Sequence, residues 1–397
     1  MGAGSTIRLA TAILLVTTLV AAPVPTAAAT PGDVVVAEQD GSIFSVDPAS
    51  GAFTTLASGS PLVQPSGVAY EASGDVLVAD ANQGNGGILF RLDSSGGGLT
   101  AIRAGSPFLR PLGVAVEPSR QILVIDQDAP PSGALFRVER ESGATTTLAS
   151  GPFQTPRDVA VEPSGSILVA DEGRDALFRV DPRTGAVATL ASGSQFANPN
   201  GVAVEASAGI VVTDPSAGPG GSGAVFRVDP ATGAISTLAI GPPLLDPRGV
   251  AIEPTGAIVV ADSAGSASIY RIDPASGGIS TIASGPPLAN PYGVAVEPPR
   301  CKGRQATIVG SPERDRLRGS RFRDVIVGLG ARDRIRGGKG KDRICGGKGK
   351  DKLSGGKGND RLVGGKGTDR LAGGKGRDKC TGGKGRDRAK NCEKGKI

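Results

Sequence analysis

Short apolar stretches separated by turn residues recur through residues 30–300. One repeat unit reads P-x-G-V-A-V-E-P-S-G-x-I-L-V-A-D, followed by A-L-F-R-V-D-P-x-T-G-A and T-T-L-A-S-G. The positions that begin the first stretch of each unit are spaced by 46, 45, 43, 48 and 44 residues, at Gly67, Gly113, Asp158, Gly201, Gly249 and Gly293. Each unit holds four short apolar stretches and no helical periodicity, which predicts one four-stranded propeller blade per unit.

The two ends of this region are incomplete in complementary ways. The segment Asp33–Ala37 matches the second strand of a unit, whereas Pro291–Pro298 supplies only a first strand. Joining them completes one more blade and removes two exposed sheet edges. The sequence therefore predicts an all-β fold with a six-bladed β-propeller closed by both ends of the region.

A second, shorter repeat fills residues 301–397. Aspartates recur every nine residues, an apolar or small side chain follows each by two positions, and a glycine precedes each by five. From Gly337 onward the unit is G-G-K-G-x-D-[RK]-U-x, six times in succession, where U is the apolar position. Stacked turns of this kind surround a hard cation with backbone carbonyls and one carboxylate each, which predicts Ca²⁺ as the cofactor. A disordered Gly/Lys linker is the alternative, but disorder requires no periodic apolar position.

Both repeats resemble known families. The phrases P-x-G-V-A-V-E-P-x-G and I-L-V-A-D resemble NHL-repeat propellers and the wider six-bladed group that includes lactonases, while the nonapeptide resembles the calcium-binding repeat of RTX proteins, of the hemolysin type. The RTX resemblance implies a parallel β-roll whose three-residue remainder forms a short strand. It assigns the metal ligands to Asp342, Asp351, Asp360, Asp369, Asp378 and Asp387. Asp315, Asp324 and Asp333 are secondary candidates, because their turns lack the second and fourth glycine.

The four cysteines all lie in the second region: Cys301, Cys345, Cys380 and Cys392. An even number in an oxidising compartment predicts two disulfides, and the sequence alone leaves three pairings open. Proximity and the RTX resemblance favour Cys301 with Cys345 and Cys380 with Cys392. The sequence has no C-x-x-C spacing and no histidine, so it does not predict a zinc site.

The first 29 residues have the features of a signal peptide. Arg8 precedes an apolar run, Leu9 to Ala22, and Ala27–Ala29 resembles a cleavage site. We therefore expect three parts: a signal peptide over 1–29, a propeller over 30–300 and a β-roll over 301–397. The expected location is extracellular, with cell-wall association as a further option, and an uncleaved membrane anchor is the alternative.

Charge divides the chain at the same boundary. Residues 301–397 carry 29 Lys and Arg against 11 Asp and Glu, whereas residues 1–300 carry 15 against 27. An exported basic segment of this kind is suited to anionic cell-wall polymers or glycans rather than to a specific nucleic acid. The six lysines of the regular nonapeptides should weaken cation binding by repulsion. A monomer is expected.

Two sets of propeller residues are candidates for chemistry. The first is an acid that ends the second strand of every blade: Glu38, Asp80, Asp126, Asp171, Asp214 and Asp262. Its recurrence favours a structural role, with the carboxylate accepting backbone N–H groups of the following turn. The second set flanks the proline before each inner strand, where the repeats differ, and is expected at one mouth of the channel: Gln64, Ser66, Arg110, Leu112, Thr155, Arg157, Asn198, Asn200, Asp246, Arg248, Asn290 and Tyr292. Arginines, amides and one aromatic ring there suit a carboxylate or a sugar, and ordinary loop variation is the alternative.

Catalysis has little support in the sequence. The chain has no histidine, so it has no Ser-His-Asp triad and no counterpart of the essential histidine of the propeller lyases that the repeat resembles. The lactonase-like group uses Asp, Glu and Asn around a divalent cation, which leaves Asp246 with Asn198 or Asn290 as the alternative. The leading hypothesis is a secreted, non-enzymatic propeller that serves as a binding platform and carries a calcium-stabilised tail. A metal-dependent hydrolase and a polycationic anchor are the two alternatives.

Overall fold

A computed structural model describes residues 32–81, 86–94 and 98–393 of the chain. The predicted signal peptide lies outside these residues. No helix in the described ranges is long and apolar enough to cross a membrane. Helical structure there consists of two single-turn 3₁₀ segments, Glu172–Arg174 and Pro219–Gly221. All other regular elements of the described chain are β-strands.

Six four-stranded antiparallel sheets form the propeller, as the repeat predicts. We number the blades 1 to 6 along the chain, with blade 6 the one that joins both ends. From the inner to the outer strand, the blades comprise Pro65–Tyr70, Val76–Asp80, Ile88–Leu92 and Leu99–Ala104 (blade 1); Pro111–Val116, Ile122–Asp126, Ala134–Val138 and Thr145–Ala149 (blade 2); Pro156–Val161, Ile167–Asp171, Ala176–Val180 and Val187–Ser192 (blade 3); Val202–Val204, Ile210–Asp214, Ala224–Val228 and Ile235–Ile240 (blade 4); Pro247–Ile252, Ile258–Asp262, Ser268–Ile272 and Ile279–Ser284 (blade 5); Pro291–Val296, Val34–Glu38, Ser42–Val46 and Phe53–Ser58 (blade 6).

Blade 6 closes the ring in the predicted way. Strand Val34–Glu38 pairs antiparallel with Pro291–Val296, so that residues more than 250 positions apart share one sheet. A β-bulge between Ala37 and Glu38 shifts the register of this pair at the end where Glu38 faces Pro291. This pairing gives Val34–Glu38 a partner on its inner side, so that edge of the strand does not expose a row of free backbone N–H and C=O groups. The prediction of six blades with closure by both ends is confirmed.

Apolar side chains from neighbouring blades form the cores between them. In the core between blades 2 and 3, for example, Leu123 and Ile125 of one sheet pack with Val169 and Phe178 of the next. The innermost strands approach each other even more closely, which explains the glycine that begins five of the six repeats; blade 3 has Asp158 at this position. A Cβ at Gly249 would lie 2.3 Å from the carbonyl oxygen of Tyr292 in the next blade. Glycine at this position is therefore required by the packing of adjacent inner strands.

A buried ion pair ties each of the five intact blades together, and the sequence analysis did not identify it. The glutamate after V-A-V pairs with the arginine of A-L-F-R-V; Glu162 and Arg179, for instance, form two hydrogen bonds of 2.8 and 2.7 Å. The same guanidinium donates to the carbonyl of Pro230 in the next blade. The equivalent pairs are Glu71–Arg91, Glu117–Arg137, Glu205–Arg227 and Glu253–Arg271. The glutamate and arginine that recur in each intact repeat unit could have predicted this ion pair from the sequence.

Blade 6 has no arginine on its third strand, because Ser45 stands at that position. Its glutamate, Glu297, is instead bound by Arg300 and by the side chain of Gln305, at 2.7 and 2.8 Å. Both of these residues follow the propeller in the chain and lie on or beside a short hairpin of Arg300–Cys301 and Arg304–Gln305. The start of the tail therefore supplies the missing partner of the closing blade.

The tail is a parallel β-solenoid of two sheets, in agreement with the predicted β-roll. Consecutive nonapeptides alternate between the sheets, so each full turn takes 18 residues. One sheet contains Ile308–Val309, Val325–Val327, Arg343–Lys348, Arg361–Lys366 and Lys379–Lys384, and the other Arg316–Arg318, Arg334–Lys339, Lys352–Lys357, Arg370–Lys375 and Arg388–Lys390. The predicted three-residue strands occur in the early units. In the regular units the strand continues through G-G-K, and its pairing omits the first of the two glycines.

A single file of apolar side chains fills the solenoid, at the position two residues after each aspartate: Leu317, Ile326, Ile335, Ile344, Leu353, Leu362, Leu371 and Cys380. Disulfides join Cys301 to Cys345 and Cys380 to Cys392, which is the favoured pairing. The first bridge ties the end of the propeller to the solenoid, and the second staples the last turns.

The solenoid packs against one mouth of the propeller channel, at the end where the inner strands finish. Residues 306–324 line a cleft of about 2530 Å³ together with the Glu–Arg pairs of that mouth. Arg120 lies at this contact and interacts electrostatically with Asp324 of the tail. It has a φ of +71° at a turn position where three other blades have glycine. The opposite mouth, formed by the loops before the inner strands, does not contribute to this cleft.

Candidate metal centre and channel mouth

The aspartates of the nonapeptides form two stacked ladders inside the solenoid. One carboxylate oxygen, Oδ1, of each aspartate from Asp333 to Asp387 accepts the backbone N–H of the aspartate one full turn earlier. The N–H of Asp342 donates to Asp360 at 2.9 Å, and that of Asp360 donates to Asp378 at 2.9 Å. Asp315 and Asp324, which begin the two ladders, donate such a bond but do not accept one.

The second oxygen of these carboxylates has no partner in the described chain. Buried Oδ2 atoms without a hydrogen bond occur at Asp333, Asp342, Asp351, Asp360, Asp369, Asp378 and Asp387. Each one faces the first glycine of its own turn; a Cβ at Gly337, for example, would lie 2.4 Å from Oδ2 of Asp342. Burying a carboxylate oxygen without a hydrogen-bond donor is energetically costly. Seven such oxygens, four on one ladder and three on the other, therefore indicate sites for bound cations.

The first two units differ from this arrangement. Oδ2 of Asp315 accepts the backbone N–H of Ser311 at 2.6 Å and also contacts its hydroxyl. Oδ2 of Asp324 is bound by Ser320 in the same way, at 2.7 Å from the backbone nitrogen. Serine therefore satisfies both carboxylates internally. These two aspartates, which the sequence ranks as secondary candidates, thus differ structurally from those of the regular turns.

Asp333 belongs with the regular aspartates rather than with this secondary group. Its turn contains Leu329 and Ala331, yet both adopt positive φ angles, +71° and +60°, in place of glycines. The turn consequently keeps the positive φ angles of the regular turns at both positions, and Oδ2 of Asp333 has no hydrogen-bond partner among the described residues. The missing glycines, by which the sequence ranks Asp333 as a secondary candidate, therefore do not change the state of its second oxygen. The informative signal was the serine at the second position, which this unit lacks.

Glycine is required in the regular turns by both conformation and stacking. Gly349 has a φ of +136°, which residues with a side chain rarely adopt. A Cβ there would lie 1.4 Å from the carbonyl oxygen of Ala331 in the turn below. Close stacking of the turns brings their backbone oxygens near the aspartate ladders, and these oxygens are the other ligands available to a cation.

Burial raises the pKa values of the ladder carboxyl groups. The pKa of Asp333 and that of Asp342 rise to about 7, and that of Asp351 rises to about 6, each opposed by a single backbone N–H donor. The pKa values of Asp360 and Asp369 are raised for the same reason. The neighbouring aspartates of the ladder add to the effect by mutual repulsion. A bound cation would favour the ionised form of all of them.

The donor set fits a hard cation. No group of three Asp, Glu or Cys side chains in the described ranges comes together as a metal site. Each turn instead offers one carboxylate with a free oxygen and a set of backbone carbonyls. All of these ligands are oxygens, which Ca²⁺ prefers and which soft metals do not. The regular turns could therefore hold calcium between the aspartate ladder and the backbone.

The outer surface of the solenoid carries columns of like charge. Lys339, Lys357 and Lys375 are paired in register on one sheet, and Lys348, Lys366 and Lys384 on the other. All six side chains are exposed. Neighbouring strands lie about 4.8 Å apart, so the ammonium groups repel one another and any approaching cation.

The recurrent acid of the propeller makes structural contacts in every blade, although Oε1 of Glu38 has no hydrogen-bond partner among the described residues. Oδ2 and Oδ1 of Asp171 accept the backbone N–H groups of Gln154 and Thr155 at 2.8 and 3.0 Å. Equivalent contacts occur at Asp80, Asp126, Asp214, Asp262 and Glu38. The predicted bonds to the following turn form as well at Asp126, Asp214 and Asp262. The partner shared by the five aspartates, however, is the loop 16 to 17 residues earlier, and the partner of Glu38 is the loop at Ala289 and Asn290. These loops carry the channel-mouth residues.

The predicted channel-mouth residues lie on these anchored loops, at the mouth away from the solenoid. Arg157 of blade 3 interacts electrostatically with Tyr292 of blade 6, on the opposite side of the ring. Arg248 of blade 5 lies over the same ring, 5.9 Å from its centroid. Leu112 and Ser66 are buried beneath the mouth, and the hydroxyl of Ser66 donates to the carbonyl of Gln64.

Asp246, Asn198 and Asn290, the candidate cation ligands of a hydrolase, are each engaged separately. Asp246 pairs with Arg248 at 2.8 Å and accepts a hydrogen bond from Ser263. The amide of Asn198 donates to Ser216 at 2.7 Å, and that of Asn290 donates to Gln39 at 3.1 Å. The structure therefore gives these three side chains different partners rather than one shared centre.

Comparison with known proteins supports the repeat type of the tail and the fold of the propeller. The family model of the RTX calcium-binding nonapeptide repeat (four copies) matches residues 309–344, 318–353 and 354–389. The tail therefore carries RTX calcium-binding repeats. No curated protein matches the chain.

Solved structures that resemble the chain are propeller proteins. A nidogen/laminin complex matches with a TM-score of 0.56 and 18% identity, covering 66% of this chain and 97% of that one. A streptogramin B lyase matches with a TM-score of 0.50 and 16% identity, covering 68% and 88%. A catalytically inactive histidine-to-alanine variant of virginiamycin B lyase from Staphylococcus aureus, solved with quinupristin, matches with a TM-score of 0.50 and 13% identity, covering 67% and 90%. At these identities the likeness concerns the fold alone.

Proposed function

We propose that the protein is an exported, non-enzymatic binding protein whose propeller is the binding platform and whose tail is stabilised by calcium. The observation that carries the proposal is the column of buried, unpartnered Oδ2 atoms. Such a column destabilises the solenoid without a cation and becomes a set of ligands with one. Metal binding and tail stability are therefore coupled.

The thin core of the tail strengthens this coupling. A single file of apolar side chains, from Leu317 to Cys380, is the principal hydrophobic contact along the solenoid. Repulsion between the stacked lysines on the outer surface and between the ionised aspartates inside destabilises the folded solenoid. Bound calcium would neutralise the repulsion between the aspartates. Because few carboxylates serve each ion amid many lysines, we expect weak affinity, with a Kd of about 10⁻⁴ to 10⁻³ M.

Hydrogen exchange on the whole protein, with and without calcium, tests the proposal. Amides of residues 333–387 should exchange quickly in chelator and become protected when Ca²⁺ is added, whereas Mg²⁺ should substitute poorly. Replacing Asp351 and Asp360 by Asn should weaken the calcium response by about tenfold or more, since it removes two ligand charges. The matched control, Asp315→Asn with Asp324→Asn, should leave the response nearly unchanged. Equal protection with and without calcium would contradict the proposal.

A non-enzymatic role is supported by the residues of the propeller. The lyase among the similar folds loses activity when a histidine is replaced, and this chain contains no histidine. The three candidate ligands of a metal-dependent hydrolase are held by separate partners. Hydrolysis of simple lactones that is lost in Asp246→Ala would show a hydrolase instead.

Export is supported by the Arg8–Ala29 pattern and by the two disulfides, which persist in oxidising compartments. The mature protein should begin at Thr30. N-terminal sequencing of the secreted material tests this directly, and recovery of an intact Met1 would argue for a retained segment.

Anchoring to an anionic cell-wall polymer is a second candidate role, favoured by the exposed lysine columns. A rigid array of cations spaced by one strand separation suits a linear polyanion. Binding to isolated cell walls should then weaken with salt and be abolished by deleting residues 301–397. Retention that persists without the tail would assign the contact to the propeller.

A further inference from the structure

Arginines from separate segments of the chain meet where the solenoid packs against the propeller. Arg120 lies on a turn of blade 2, Arg304 on the hairpin after the propeller, and Arg323 just before the solenoid strand Val325–Val327. Burial lowers the pKa of Arg120, and repulsion from neighbouring guanidinium groups lowers it further. In order of effect, these groups are Arg323, Arg140 and Arg304. The fold therefore holds like charges close together at this junction.

Covalent and backbone contacts fix the hairpin beside the start of the solenoid. Arg304 pairs with Cys301 across the hairpin, and Cys301 is bridged to Cys345 with the two Cα atoms 5.8 Å apart. Strand Val325–Val327, which begins two residues after Arg323, pairs in register with the strand that contains Cys345. These contacts keep Arg304 close to Arg323 although the two side chains carry the same charge.

The acids around this junction are already engaged. Arg120, Arg323 and Asp324 line the cleft of about 2530 Å³ between propeller and solenoid. Six propeller glutamates also line it, and each is paired with an arginine: Glu71, Glu117, Glu162, Glu205, Glu253 and Glu297. Among the described residues, no ion pair includes Arg120, Arg304 or Arg323. Asp324 attracts Arg120, but one carboxylate beside three such arginines leaves an excess of positive charge.

A bound anion would remove this repulsion. Guanidinium groups from different segments can bind one oxyanion together, because each donates charge-assisted N–H···O bonds to it. A tetrahedral oxyanion offers an oxygen to each segment, and the cleft has room for the group to be free or part of a larger molecule. We propose that this junction binds a phosphate or sulfate group through Arg120, Arg304 and Arg323.

This ligand would contact the propeller, the hairpin and the solenoid at once, so it should strengthen their association. The site shares no residue with the regular aspartate turns or with the lysine columns. It is therefore a binding site in addition to the roles proposed above.

Calorimetry on the whole protein in calcium tests the site, with sodium sulfate as the probe and sodium chloride of equal ionic strength as the control. Sulfate should bind saturably at concentrations up to about 10 mM, and chloride should not. Arg304→Gln with Arg323→Gln should weaken sulfate binding by about tenfold or more. The matched control is Arg332→Gln with Arg386→Gln, which removes the same charge from exposed solenoid positions that do not line the cleft. It should bind sulfate nearly as the original protein does.

A second pair of probes distinguishes a free ion from a group carried on a sugar. Glucose 6-sulfate should bind at least as tightly as sulfate if the group belongs to a glycan, whereas tighter binding of sulfate assigns the site to the free ion. Both outcomes support the site, and glucose, the neutral control, should not bind.

Two results would overturn the assignment. One is the absence of saturable sulfate binding by protein whose tail is protected in calcium. The other is sulfate binding that Arg304→Gln with Arg323→Gln weakens no more than the control pair does, while the melting temperatures of both variants stay normal. Calcium protection of the tail is measured in the same samples, so failure of the anion site is distinguished from failure of the calcium proposal.

Discussion

The propeller and the solenoid each repeat a buried aspartate, but its carboxylate has different hydrogen-bond partners in the two regions. In the propeller, Asp171 is completely buried and both of its oxygens accept backbone N–H groups of its own blade. In the solenoid, Asp360 is equally buried, yet only one of its oxygens has a donor. The protein itself supplies donors to both oxygens of Asp171, whereas it leaves Oδ2 of Asp360 as a candidate ligand for a cation.

The regions also differ in how they treat buried charge. The propeller pairs a glutamate with an arginine in each intact blade and joins it to the next blade through a proline or arginine carbonyl. The solenoid places its arginines and lysines on the outside and pairs none of the described ladder aspartates with them. We therefore expect the solenoid to respond more strongly to calcium and pH than the Glu–Arg pairs of the propeller do.

Loss of closure should have the largest effect. A chain that ends at Asn290 lacks the inner strand of blade 6, so the edge of Val34–Glu38 that pairs with it is left free. We expect aggregation or complete loss of cooperative unfolding, measured by size-exclusion chromatography and thermal melting. A chain that ends at Arg300 is the control, since it keeps the strand and the Glu297 contact. Equal stability of the two truncated chains would contradict closure by both ends.

Removal of one aspartate from each region should separate their roles. Asp171→Ala leaves two buried N–H groups without an acceptor and should lower the free energy of unfolding of the propeller by about 3 kcal/mol. Asp360→Ala in chelator removes a buried charge with one unpartnered oxygen and should cost the tail far less. Chemical denaturation followed by hydrogen exchange of each region measures both. Equal losses would show that the solenoid carboxylates are structural as well.

The pH dependence of the calcium-free tail follows from its raised pKa values. The folded pKa values of Asp333 and Asp342, about 7, exceed the ordinary value of 3.8 because burial disfavours the charged form. Between those values the folded tail binds more protons than the unfolded one, so its stability is full at low pH and falls as pH rises toward 7. Calcium affinity should change in the opposite direction, rising with pH. Hydrogen exchange after removal of calcium, from pH 4.5 to 8, measures this.

A matched variant completes the pH experiment. Asn has nearly the shape of Asp but does not titrate, so Asp333→Asn with Asp342→Asn should flatten the pH dependence of the calcium-free tail. If the slope stays unchanged in this variant, other groups are responsible for it.

The smallest effect is expected at the junction of the two regions. Arg300→Gln removes the ion pair of the buried Glu297, but Gln305 keeps its hydrogen bond to the same carboxylate. We expect a loss of about 1 kcal/mol in propeller stability, measured by denaturation. Arg304→Gln removes the same charge from the same hairpin, but among the described contacts of Glu297 only Arg300 and Gln305 bind its carboxylate, so this variant should be neutral. A loss as large as that of Asp171→Ala would mean that the hairpin is an integral part of blade 6.

Much of the fold followed from patterns that repeat. The spacing of Gly67, Gly113 and their equivalents predicted the blades, and the partial units at Asp33 and Pro291 predicted the closure. The nonapeptide period predicted the solenoid and its apolar file. These features were readable because each one depends on local turn chemistry and on alternation along the chain, which a repeat displays many times.

The rest depended on which residues meet in space. Sequence ranked Asp333 with Asp315 and Asp324, yet the conformation of Leu329 and Ala331 places it with the regular ladder. The pairing of Glu297 with Arg300, and the approach of Arg157 to Tyr292 across the ring, join residues that no local pattern relates. Sequence thus determined the two repeats and their elements. Tertiary structure decided which buried oxygens and donors remain unsatisfied, because satisfaction depends on the distances between turns and blades rather than on residue type.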